Sequence, residues 1–211
     1  MGDGVLGCDD FDRTVAHGWG SADVGGAWGV FNPQNSAVSV GSGHGSLAVA
    51  NTMAGTIFHL DTATALDAET HAIVGFDRVP TTGAYYATVE LRWVDGNDYV
   101  LVLQVLPEGA IHAYINGPGP TTLANGTSSI TVRPNAGVEL SLVATGASPT
   151  MLCGKVWLEG TSEPSECTVQ AQDSTPALQA PGLSFLNMTD DGGEAPTVSF
   201  SAFRYLRTGP Q

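Results

Sequence analysis

The chain has 211 residues, with only seven Lys plus Arg against 21 Asp plus Glu, for a formal charge of -14. This excludes nucleic acid and anionic membrane surfaces as partners, because affinity for a phosphate surface comes from clustered cations. A hydrophobic fraction of 42% supplies a core, while 27 Gly and 12 Pro suit a chain rich in turns, and no run approaches the roughly 20 apolar residues of a membrane-spanning helix.

The length fits one all-β domain, which we read as residues 9–207 between tails at 1–8 and 208–211. The opening MGDGVLGCDD lacks the basic and apolar regions of a signal peptide. Either a leader has been removed and the protein is extracellular, or it leaves its cell without one, as a virus particle does on lysis. From Asp9 to Trp28 a short strand at Phe11 precedes a Gly-rich loop. Its Trp19 and Trp28 read as aromatic plugs at the end of a sandwich rather than as ligand-stacking rings. Short strands follow at Trp28 to Phe31, Ala37 to Val40, Leu47 to Asn51 and Thr56 to Leu60, with turns at Asn32-Pro33 and Gly41-Ser42-Gly43-His44-Gly45. That spacing is the signature of a sandwich or barrel. Thr62 to Asp67 is expected as one helical turn, and Thr70 to Val79 as the next strand.

The stretch from Tyr85 to Ile115 is a meander of three strands. In the first, Ala87, Val89, Leu91 and Trp93 fall on one face, and Tyr86, Thr88, Glu90 and Arg92 on the other. Asp95-Gly96-Asn97 closes the hairpin. Tyr99 to Leu106 is apolar nearly throughout, as in a central strand covered on both faces. After Pro107-Glu108-Gly109 the third strand alternates Ile111, Ala113 and Ile115 against His112 and Tyr114. A long turn-rich connection with one short strand is expected next, then a hairpin of Val138 to Thr145 and Met151 to Glu159. Strands at Cys167 to Gln172, Gly182 to Asn187 and Val198 to Leu206 complete the chain, with an acidic turn at Asp190 to Glu194 and the last strand pairing near Phe11.

Three cysteines are an odd set. If a hairpin closes near Ser162, Cys153 lies opposite Gln172 and Cys167 opposite Leu158, too far apart to bond, so Cys8, Cys153 and Cys167 are all expected reduced.

Catalytic signatures are sparse. No strand carries Glu-x-Asp-x-Glu, Glu90 has no second acid on its own strand and reads as an ordinary ionised carboxylate, and no G-x-S-x-G elbow occurs. The five histidines are scattered without metal-ligand spacing. Asp95, Asn97 and Asp98, or Asp190, Asp191 and Glu194, offer hard oxygen ligands to a structural calcium, or are simply solvated turn acids. What remains is a polar and aromatic face: Tyr86, Glu90, Arg92, His112 and Tyr114, with Lys155 and Trp157 at the same parity. Flat rings flanked by hydrogen-bonding groups suit a sugar. Such a face is otherwise solvated, or covered by a partner subunit.

The Asp9 to Trp28 opening, the Leu91-Arg92-Trp93 strand, Lys155-Val156-Trp157 with Glu163-Pro164, and the Phe200 to Leu206 strand together resemble concanavalin A-like lectin/glucanase domains of the laminin G type. The opening is similar to that of modules in minor tail proteins of phages infecting actinobacteria. The resemblance spans Asp10 to Arg207 and implies an antiparallel two-sheet jelly-roll sandwich with very little helix, exposed on a virion or cell surface, with glycan binding common in the fold. Such domains often hold calcium with an acid in the closing strand, where this chain has Ser201 after Phe200. The sequence thus leads to a non-catalytic phage virion component in the tail or on the head, which binds host-envelope glycan and contacts other virion proteins, and whose use of repeated copies would make it a homo-oligomer. Its rivals are a purely structural decoration protein and a glycan hydrolase.

Overall fold

Runs that alternate apolar and polar side chains pair here into two antiparallel sheets. The computed structural model describes residues 4–32, 37–49, 55–119, 121–191 and 194–209. Among these lie β1 (Val5–Asp9), β2 (Trp28–Phe31), β3 (Ala37–Gly41), β4 (His44–Ala48), β5 (Thr56–Leu60), β6 (Ala68–Phe76), β7 (Tyr85–Val94), β8 (Asn97–Val105), β9 (Ala110–Asn116), β10 (Thr122–Thr131), β11 (Gly137–Thr145), β12 (Thr150–Leu158), β13 (Val169–Asp173), β14 (Leu183–Asp190) and β15 (Thr197–Arg207). One sheet has eight strands in the order β13, β12, β11, β6, β15, β4, β3, with β1 also on β15. The other has seven in the order β10, β9, β8, β7, β14, β5, β2. The fold is thus an all-β jelly-roll sandwich, as the turn spacing anticipates.

The core between the sheets is filled by the inward parity of each strand: Ala87, Val89 and Leu91 from β7, Leu101 and Leu103 from β8, Leu140 and Leu142 from β11, and Phe200 and Phe203 from β15. At one end Trp19 stacks on Phe58 at 3.7 Å between ring centroids and meets Trp28 edge-on at 5.1 Å. Asp9 beside them is fully buried, accepting from both Arg13 Nη groups at 2.7 Å and from Trp28 Nε1 at 2.6 Å. The two Trp are therefore packing plugs, held by a charge-assisted hydrogen-bond set that satisfies a carboxylate in an apolar setting.

Several local expectations need correction. Val5 to Cys8 is no tail, since β1 pairs with β15 and joins the two ends of the chain. Phe11 stands just past that strand with φ 54°. Residues 62–67 form no helix, and Ala65 instead bridges to Gly182. His44 to Ala48 is a strand, because Ser42 and Gly43 at φ 55° and 75° make a two-residue hairpin turn. The expected turn-rich connection after Ile115 contains the ten-residue β10. Pro33, Ala50, Asn51, Gly192 and Gly193, on which parts of three expected elements fall, lie outside the described residues.

The cysteine expectation fails outright. Cys153 and Cys167 form a disulfide with Cα atoms 5.4 Å apart, and only Cys8 is free. The register places Cys153 opposite Gln170, and β13 starts at Val169, so Cys167 lies outside the ladder and folds back over Cys153.

Candidate functional site

The site grows from the outer face of the seven-stranded sheet. Strand register sets the outward residues in rows across it. One row runs Tyr114, Val102, Thr88, Asn187, Ile57, Phe31 from β9 to β2, and the next runs Asn116, Val100, Glu90, Phe185, His59. A third begins His112, Gln104, Tyr86, Thr189. These rows floor a cleft of about 590 Å³ with Tyr86, Trp93, Tyr114, Phe31 and Phe185 among its lining side chains. The expected parity of Tyr86, Glu90, His112 and Tyr114 therefore holds, although His112 sits beside the cleft rather than in it, edge-on to Tyr114 at 6.5 Å.

Arg92 departs from that face, and its departure shapes the site. It has φ 56°, and the ladders to β8 and β14 both shift register there. This is a bulge, which re-aims the side chains that follow it. Arg92 turns inward, fully buried, and donates to Leu66 O at 2.8 Å, Leu178 O at 3.0 Å, Gly146 O at 2.6 Å and Thr150 Oγ1 at 2.6 Å. Burial lowers its pKa. Trp93, expected inside, turns outward against Phe185 with centroids 5.0 Å apart. Gly182 lies against the bulge so closely that a Cβ there would collide with the Arg92 backbone.

Glu90 is 5% exposed and forms a hydrogen bond with Asp98, a residue of β8 rather than of its own strand. Thr88 Oγ1 donates to Glu90 Oε1 at 2.8 Å, and Asn187 also donates to this carboxyl. Burial, then the neighbouring Asp98, holds the Glu90 pKa well above the usual carboxylate range, and burial raises Asp98 as well. The expectation of an ordinary ionised carboxylate is thereby corrected, since burial beside a second acid favours the protonated form of Glu90. Asn187 Oδ1 is buried with no hydrogen-bond partner. At the cleft lip, Phe31 is 46% exposed and stacks on His59 at 4.3 Å. Burial lowers the His59 pKa. Tyr86 donates to Asp191 Oδ2 at 2.8 Å and accepts from Gln104 at 3.1 Å, and its pKa is pushed up to about 12 by burial and by the carboxylate.

Trp157 is not part of this face. It lies on β12 in the other sheet, stacked on His71 at 5.6 Å. Asp95 occupies the β7–β8 turn with φ 49°, Asp98 is engaged with Glu90, Asp190 accepts from Ala195 N at 3.2 Å, and Asp191 accepts from Tyr86. Among the described residues no three His, Cys, Asp or Glu side chains group closely enough to hold a metal ion.

No family model matches the chain, and no curated protein matches it in sequence. Solved structures do. The CBM2 module of the evolved Dit of Lactobacillus casei BL23 phage J-1 superposes with a TM-score of 0.62 at 6% identity, over 99% of this chain and 98% of that one. The chain has the concanavalin A-like jelly-roll fold. An immunostimulatory antigen and pseudo β-1,3-glucanase of Mycobacterium tuberculosis matches at 0.62 and 15% identity, over 98% and 100% of the two chains. The carbohydrate-binding module CBM66 of Bacillus subtilis matches at 0.56 and 14%, over 85% and 94%. Concanavalin A-like neighbours thus include both binding modules and glucanase-type domains.

Proposed function

We propose that this domain is a non-catalytic glycan-binding module, acting in a phage virion as a minor tail or adhesion protein that contacts host-envelope glycan. The observation that carries the proposal is the cleft itself: five aromatic side chains around a polar floor of Thr88, Glu90, Asp98, Asn116 and Asn187. Sugar C–H faces stack on such rings while hydroxyls meet the polar groups, the arrangement of a preformed small-ligand site. The likeness to a phage module and to a carbohydrate-binding module supports the same reading. The disulfide fits a protein that works outside a reducing cytosol.

A hydrolase is the second reading, favoured by the glucanase-type neighbours and by the acid pair. The pair's geometry weighs against it. A retaining glycosidase sets its carboxyls about 5 Å apart and an inverting one about 6.5–9.5 Å apart, whereas Glu90 and Asp98 are joined directly by a hydrogen bond.

The test is a glycan array probed with wild-type protein and with Trp93→Ala and Tyr114→Ala, accompanied by an assay for reducing ends released from host cell wall. We expect retention that drops at least about tenfold in either variant, the loss of one ring contact, with unchanged folding and no product release. Equal retention by both variants would sink the cleft as the site, and product release abolished by Glu90→Gln would replace binding with hydrolysis.

A further inference from the structure

The cleft floor carries an electrostatic imbalance that a neutral sugar would leave in place. Glu90 and Asp98 both line the cleft, no Lys or Arg does among the described residues, and burial lowers the pKa of His59 at its lip. Two facing carboxyls away from water do not both ionise, so they retain a proton between them. Asn187 lines the cleft beside Glu90 and adds no positive charge. Two carboxyl groups thus lie together in the cleft without a lysine or arginine.

A primary ammonium has three N–H donors and one positive charge. It matches the carboxyl pair in sign, and the rings of Tyr86, Trp93 and Tyr114 around the floor offer π faces to the same charge. Resting on the glycan-binding reading above, we propose that the cleft selects sugars bearing a free amine, whose ammonium sits on the Glu90 and Asp98 carboxyls. On binding, the proton held by the pair leaves to solvent and the ammonium takes its place. The carboxyls and their cation carry one net negative charge before and after. Uronic acids and other anionic sugars are rejected, because they would add a negative charge to a site with no cation.

Calorimetric titration with three probes tests this: a glucosamine hexamer, an N-acetylglucosamine hexamer and a galacturonate hexamer, at a pH where the amine is protonated. The glucosamine hexamer is expected to bind at least about tenfold more tightly than the N-acetylated one, the worth of one charge-assisted contact, and galacturonate not at all. Glu90→Gln and Asp98→Asn should each bring the glucosamine hexamer down to the affinity of the N-acetylated one. Glu163→Gln, on the opposite sheet, should change nothing. If Glu163→Gln weakens glucosamine binding as much as Glu90→Gln does, the attraction is the general pull of an acidic protein on a polycation, and the amine site is overturned. If the N-acetylated hexamer binds equally well and Trp93→Ala abolishes it, the amine preference is wrong while the glycan cleft stands. Should no glycan bind in a manner sensitive to Trp93→Ala, the underlying reading falls and the amine site with it.

Discussion

The two outer faces of the sandwich treat their acids in opposite ways. On the eight-stranded sheet Glu139 meets His71 at 2.9 Å and Glu163 meets Lys155 at 2.6 Å, around a groove of about 360 Å³ that also holds Arg204 and Trp157. There Lys155 supplies Glu163 with a charge of opposite sign, and the His71 ring supplies Glu139 with a hydrogen-bond donor. On the seven-stranded sheet Glu90 meets another acid, and aromatic side chains stand where cations would be. Compensated charge makes a stable solvated surface, whereas a buried like-charge pair costs stability and persists where a site uses it. The contrast supports the proposed cleft as the working face.

The sharpest way to break that contrast is to remove the device that aims Trp93. Arg92→Met leaves three backbone carbonyls and Thr150 without their buried donor, and we expect a loss of about 4 kcal/mol in denaturant unfolding, with weakened glycan retention. Next comes the disulfide, which closes a loop of 14 residues. Cys153→Ser should cost about 3 kcal/mol while leaving glycan retention intact, because the bond lies at the β12–β13 edge of the opposite sheet. Gly182→Ala presses a methyl group onto the bulge backbone and should cost about 2 kcal/mol, again readable by chemical denaturation.

Two smaller effects sharpen the electrostatic side. Glu90 has its folded-state pKa above that of an unfolded glutamate, so the folded protein holds that proton more tightly. The associated stability is full below the ordinary glutamate pKa and is lost as pH rises through the raised one. Glu90→Gln should therefore melt higher than wild type at pH 8, with the gap closing toward acid pH. An equal difference at both pH values would contradict the buried pair. On the other face, Glu139→Gln should change stability by only about 0.5 kcal/mol, as for a partly exposed polar pair, and binding not at all.

Much of the sandwich was legible because strand residues repeat with period two: β2 and β5 lie at their expected bounds, and the meander, the β11–β12 hairpin and β15 are found within a few residues. The same periodicity located Tyr86, Glu90, His112 and Tyr114 on one face. It failed at Arg92, since a bulge adds a residue without changing the alternation of residue types, so Arg92 and Trp93 were assigned to each other's faces. Asp98 was visible only as a turn acid, although it shares parity with Val100, Val102 and Gln104 on β8, and following that parity across the hairpin would have brought it to Glu90. Phe31, Phe185 and Asn187 come from β2 and β14, which are distant in the chain, and only the sheet order places them beside β7. The disulfide is hidden in the sequence because the true register sets Cys153 opposite Gln170 rather than Gln172, and β13 begins only at Val169, which frees Cys167 from the ladder.

The central claim, that the cleft over the seven-stranded sheet is the ligand site, is tested most directly by NMR chemical-shift mapping with a glycan retained on the array. The account predicts shifts concentrated at Phe31, Tyr86, Trp93, Asp98 and Tyr114, with His71, Glu139 and Trp157 unmoved. Shifts centred on His71, Glu139 and Trp157 would place the ligand on the opposite sheet and contradict it.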